Sequence, residues 1–149
     1  QAATQGAKSA GGQTLVVTFA PDPKEATEFE GRFDQNQADV EIKTKNYVER
    51  MFGLMEHADI FIVFKGGTGT LSEWATAWLM AHIYHGHHKP FILYGAFWQE
   101  VVDCIVNNFF IGPKEMEVFK VVKDEAELIP AFEEFERQLE IRMQKKPLY

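Results

Sequence analysis

Apolar residues in this chain fall into short runs divided by polar, glycine-bearing connections, and two periodicities alternate along it. Thr14–Phe19, Ile60–Phe64, Phe91–Tyr94 and Val118–Val122 are compact, largely apolar runs that read as strands, Ile60–Phe64 as a buried one. Val40–Thr44 reads as a further short strand with one polar face. Between them the spacing turns helical. Val48, Met51, Phe52 and Met55 recur at i, i+3, i+4 and i+7, a core-facing stripe, with Asn46 as cap and Glu49 three residues on as its capping-box partner. Leu71 to about Tyr84 predicts a helix that is apolar on most sides (Trp74, Ala75, Ala77, Trp78, Leu79, Ala81) and ends at Gly86. Such a helix is expected to be buried or to face a partner subunit. Phe97 to about Asn107 predicts another, followed by a turn at Gly112-Pro113. Asp124 starts a turn, and Pro130 is expected to open a closing helix, where its missing N–H costs little; Phe132, Phe135 and Leu139 form its inner stripe. At the other end, Gln1–Gly12 reads as the tail of a helix closed by a glycine cap, and Pro21–Gln37 as a long polar surface loop. Strand and helix alternate through short connections, which predicts an α/β fold with a parallel sheet and helices on both faces.

Composition narrows the setting. The 149 residues suffice for a single domain, 1–149, with a real core, and 46% of them are hydrophobic. A formal net charge of -7 argues against a nucleic-acid polymer held by its phosphates but leaves room for a small anion bound by local donors. Cys104 is the one cysteine, so no internal disulfide can form, which suits the cytoplasm. Set among Val101, Val102, Ile105 and Val106, it is expected to be a buried small hydrophobe. No signal peptide and no run long enough to span a bilayer is visible, so no membrane partner is expected.

Candidate chemistry gathers after the Ile60–Phe64 run, where Gly66, Gly67, Thr68, Gly69 and Thr70 lead into the apolar helix. Strand, glycine loop and helix N-terminus make an arrangement suited to phosphate. Glycines allow close approach and positive φ, and first-turn N–H groups point at an anion. The pattern is neither the P-loop nor the dinucleotide fingerprint, and a plain tight β-α turn stands beside the ligand reading.

Lys65-Gly-Gly-Thr-Gly-Thr-Leu-Ser-Glu73 resembles the P-G-G-x-G-T-x-x-E signature of the Lonely guy family, the cytokinin riboside 5′-monophosphate phosphoribohydrolases long labelled lysine decarboxylases. Glu49-Arg50, Glu41-Ile-Lys-Thr, His88-Lys89-Pro90 and Gly95-x-Phe97-Trp98 are similar to other parts of that family, so the likeness runs from about Ala38 to Ala131. Lys65 stands where the family has proline. Nothing before Ala38 resembles the family's first β-α unit, so the chain is expected to be N-terminally incomplete. The resemblance implies a Rossmann-like three-layer sandwich that hydrolyses a nucleoside 5′-monophosphate to free base and ribose 5-phosphate, as a homodimer and without metal or redox cofactor. The glycine loop would hold the phosphate, and Glu73 and Arg50 would serve the ribosyl carbon. A non-catalytic nucleotide or molybdenum-cofactor carrier is the alternative.

Each of these residues also has a structural reading. Thr70-x-x-Glu73 is itself a capping box, and an arginine on a helix is commonly solvated or paired with an acid. His82, His85, His87 and His88 invite a zinc site, but no H-E-x-x-H pattern or neighbouring cysteine accompanies them. Trp74 and Trp78 fit core or dimer contacts better than a stacking platform. No context for a pyridoxal phosphate lysine accompanies Lys65.

Overall fold

The computed structural model describes residues 2–19, 38–86 and 88–144. The expected loop over Pro21–Gln37 lies outside them. Six helices and five strands are present among the described residues, every strand pairing is parallel, and the α/β fold of the Rossmann-like kind is present. The chain divides into two compact units, Gln1–His57 and Ala58–Tyr149.

In the first unit, helix α1 (Ala2–Ser9) ends as its glycines predict. Gly11 takes φ 78°; its N–H donates to Lys8 C=O (3.0 Å), and Gly12 N–H donates to Ala7 C=O (2.8 Å). This is the paired 5→2 and 6→1 closure of a Schellman motif. Strands β1 (Leu15–Phe19) and β2 (Val40–Thr44) pair in parallel from Leu15 opposite Val40 to Phe19 opposite Thr44. Helix α2 (Tyr47–His57) packs on both. Its cap is the expected Asn46, whose side-chain carbonyl accepts the Glu49 N–H at 2.9 Å. The Glu49 carboxylate reaches back one residue further than expected, to the Lys45 N–H (3.0 Å) and the Asn46 amide (3.1 Å). The expected inner stripe is only partly inward: Met51 is buried, but Val48 and Phe52 are about half exposed. Gly53 explains the rotation, because a Cβ there would meet Val17 Cγ1 at 3.0 Å. The helix sits down where a side chain is missing.

Asp39 ties the start of this sheet together. Its Oδ2 accepts both the Thr14 hydroxyl (2.7 Å) and the Thr14 N–H (2.8 Å), and Oδ1 lies 3.0 Å from Lys8 Nζ. The Thr14 hydroxyl above all, with Lys8, lowers the Asp39 carboxyl to about 2 from its ordinary 3.8. Because the native value lies below the unfolded one, the unfolded chain takes up the proton first. The stabilisation is therefore complete above about pH 4 and disappears as pH falls through the native value. Thermal midpoints of the wild type and Asp39→Asn should accordingly differ most near neutrality and converge between about pH 4 and pH 2; a pH-independent gap would contradict this.

In the second unit, strands β3 (Phe61–Val63), β4 (Phe91–Tyr94) and β5 (Phe119–Val122) form a sheet in the order β3-β4-β5. Phe91, Ile92 and Leu93 are fully buried, each side chain contributing about 1.5–3 kcal/mol. Their period of two feeds two cores. Phe91, Leu93 and Phe119 pack with Trp74 and Trp78 of α3 (Thr68–Ile83) and with Trp98 and Val102 of α4 (Phe97–Asn108). Ile92 and Val122 pack with Ala131 and Phe135 of α6 (Glu125–Gln144). Helices thus cover both faces of this sheet. Strand β3, at the sheet's edge, is less buried than its composition predicts, with Ile62 at 37% exposure.

Three expectations need correction here. The Gly112-Pro113 turn opens a short helix, α5 (Pro113–Met116), held by the Glu115 carboxylate accepting the Gly112 N–H at 2.5 Å. Helix α6 begins at Glu125, well before Pro130, because Asp124 accepts the Glu127 N–H (3.2 Å) and Glu127 accepts the Lys123 N–H (2.9 Å). That reciprocal capping fixes the first turn, so Pro130 lies inside the helix. Cys104 is exposed: α4 turns Trp98 and Val102 inward, and a residue two places past Val102 faces the other way at ~100° per residue. Among the described residues no helix is long and apolar enough to cross a membrane.

Candidate functional site

The glycine stretch follows β3 at the carboxyl edge of the second unit's sheet, the edge where open α/β sheets bind ligands. Gly67 is the N-cap of α3, with extended backbone (φ -97°, ψ -156°) and no side-chain cap. The first helical bond runs from Leu71 N–H to Gly67 C=O (3.1 Å). Thr68, Gly69 and Thr70 therefore form the opening turn, whose N–H groups precede any i−4 acceptor within the helix. The helix starts earlier than the sequence suggests, and this changes the reading of Glu73. Thr70 stands inside the first turn, where it cannot be the cap, and half-buried Glu73 sits one turn further in. A Thr70–Glu73 capping box is excluded by that register.

Positive φ is absent from this loop, since among the described residues only Gly11, Gly86 and Gly95 adopt it, and it is at Gly66 that size matters. At Gly66 an added Cβ would lie 2.8 Å from Thr70 Cβ and would collide with the Thr70 hydroxyl. Loop and first turn are folded against each other at that point. At Gly67, by contrast, an added Cβ meets nothing within 4 Å.

Neighbouring strand ends supply groups that the sequence did not single out as site residues. Phe64, just after β3, lies 5.1 Å from the Tyr94 ring at the end of β4. The Tyr94 hydroxyl donates to Glu125 Oε1 at 2.8 Å, from the first turn of α6. That bond raises the Tyr94 phenol above its ordinary value and holds the Glu125 carboxyl below its own. Lys65 extends its ammonium over the Phe97 ring, 5.6 Å from the centroid. The Gly95-x-Phe97 spacing was visible in the sequence; its approach to Lys65 was not, because it depends on two strands ending side by side.

Arg50 belongs to the first unit. It lies in the first turn of α2, its N–H donating to Asn46 C=O (3.1 Å) and its guanidinium 5.5 Å from the Tyr47 ring centroid. Gly66, Gly67, Thr68, Gly69, Thr70 and Glu73 thus share one loop and helix of the second unit, while Arg50 stands on α2 of the first. Glu49, its neighbour in the sequence pair, is engaged in capping α2.

The described histidines have structural partners. His82 Nδ1 lies 4.0 Å from Glu115 and His85 Nε2 lies 3.4 Å from Glu117, while buried His88 accepts the Gly86 N–H at 3.2 Å. Trp74 and Trp78 are core residues, stacked with centroids 5.3 Å apart. On the exposed side of α3, Leu71, Ala75 and Leu79 line an apolar groove of about 270 Å³ with Phe109 and Ile111; none of the candidate site residues lines it.

The model of a family described as possible lysine decarboxylase matches residues 1–132. The match takes in the stretch before Ala38, where the sequence by itself showed no likeness. No curated protein matches the chain.

Proposed function

The chain belongs to the family described as possible lysine decarboxylase, and from that premise we propose that it is a phosphoribohydrolase of the Lonely guy kind, cleaving the N-glycosidic bond of a nucleoside 5′-monophosphate such as AMP or a cytokinin riboside monophosphate. The observation that carries the reading is the Gly66–Thr70 loop opening a 16-residue helix after a parallel strand, with Glu73 one turn along. The 5′-phosphate rests on the first-turn N–H groups, with the Thr68 and Thr70 hydroxyls as further donors. Water then adds to the ribosyl C1′ as the C1′–N bond breaks. The bonding pair leaves with the base, which gains a proton, and ribose 5-phosphate is the second product. Positive charge builds on the ribose in such a transition state, and the Glu73 carboxylate stabilises it or orients the water. The family resemblance assigns Arg50 a part in recognising the nucleotide, for which its forked guanidinium is suited.

The working form in this proposal is a cytoplasmic homodimer, supported by the lone cysteine and by the exposed apolar side of α3 (Leu71, Leu79, Ile83). The test is chromatographic detection of free base after incubation with AMP and with an N6-modified AMP. Base and ribose 5-phosphate in equal amounts are expected. Nucleotide binding without base release would instead identify a carrier.

A further inference from the structure

We infer that Lys65, held over Phe97, is the phosphate-sensing residue of the site, the group by which it separates phosphorylated from unphosphorylated ligands. The inference rests on the nucleotide reading above and adds to it a specific cation. Lys65 directly precedes Gly66, so its ammonium is carried on the same segment as the glycine loop. Helix N–H groups offer only about half a unit charge, too little to neutralise a phosphate dianion in a protein of net charge -7. A full positive charge beside the loop makes up the difference.

Three features of the fold show that this lysine is placed rather than merely exposed. Its ammonium lies 5.6 Å from the centroid of Phe97, within cation–π range. Phe97 can reach that place because Gly95 adopts φ +119°, and a Cβ there would come within 2.7 Å of Phe97 Cε1. Among the described residues no carboxylate is paired with Lys65, so its charge is not neutralised by an ion pair. The ring restricts the flexible four-carbon stem without neutralising the charge. The ammonium is thereby kept available for an anion arriving at the loop.

The test is calorimetric titration of the full chain with ribose 5-phosphate and with adenosine, in the wild type, Lys65→Gln, Lys65→Arg and Phe97→Leu. Lys65→Gln should weaken ribose 5-phosphate about tenfold, equivalent to about 1.4 kcal/mol, and leave adenosine unchanged. Lys65→Arg should stay within about threefold of the wild type, since arginine keeps both the charge and the contact with the ring. Phe97→Leu, checked for an unchanged melting temperature, should fall between. Equal ribose 5-phosphate affinity in the wild type and Lys65→Gln would overturn the inference. So would equal losses for both ligands, equal losses in the Gln and Arg variants, or no phosphate binding by the wild type. The two readings separate cleanly. A wild type that binds ribose 5-phosphate through Lys65 yet releases no base from AMP leaves this inference standing and removes the hydrolase. A wild type that hydrolyses AMP with KM unaffected by Lys65→Gln does the reverse.

Discussion

Glu73→Gln is expected to slow base release from AMP at least a hundredfold, about 2.7 kcal/mol of barrier, while nucleotide affinity and thermal midpoint change little. The register of α3 is what makes this variant informative. Were Glu73 the partner in a capping box, removing its charge would disturb the start of the helix and mix folding with chemistry. With Gly67 as N-cap and Thr68 as the first helical residue, Thr70 is not the cap, and Glu73 is not its capping-box partner. Glutamine keeps the shape and loses the negative charge, so a selective fall in kcat would point to stabilisation of the developing ribosyl cation. An unchanged kcat would return Glu73 to a structural part.

Gly66→Ala should damage the same site by a different route. Its backbone needs no positive φ, so the whole penalty is steric. The new methyl would sit 2.8 Å from Thr70 Cβ, in the place of the Thr70 hydroxyl. A Cβ is not the loose end of a flexible chain, so relief requires the loop or the first turn to move. Overpacking of this kind costs about 1–3 kcal/mol, and a shift of the first turn misplaces the donors for phosphate. A lower melting temperature and at least a tenfold weaker binding of AMP are expected. Gly67→Ala supplies the comparison: its methyl meets open space, and the stability change should stay below about 1 kcal/mol. Equal damage from both substitutions would contradict the packing account.

Local chemistry was the most legible part of this sequence. Asn46, the Gly11-Gly12 stop and strands β2 and β4 are where their residues predict, because caps and short β-branched runs act through near neighbours. Misreadings arose where a choice depended on distant packing or on two competing local signals. At α6 a proline signal competed with Asp124 and Glu127, and reciprocal hydrogen bonds outweighed it. On α2 the apolar spacing suggested one inward stripe, and the close approach of Gly53 to Val17 turned Val48 and Phe52 partly outward. Cys104 shared a run with inward-facing valines but not their face. The Gly66–Thr70 motif was legible as a loop before a helix. The steric reason for Gly66 and the Lys65–Phe97 contact were not, since each depends on a fold-back that spacing does not encode.

The three tryptophans of the chain, Trp74, Trp78 and Trp98, all lie in the second unit, with ring centroids 4.8–5.3 Å apart around Trp74. Indole emission is therefore a one-sided witness. A denaturation curve recorded by tryptophan fluorescence follows the β3-β4-β5 unit and is silent about the Asp39–Thr14 clasp and the α2 arginine. The Gln1–His57 unit has to be followed by amide exchange or by an introduced reporter, and a single sigmoidal fluorescence trace cannot by itself establish that the whole chain unfolds in one step.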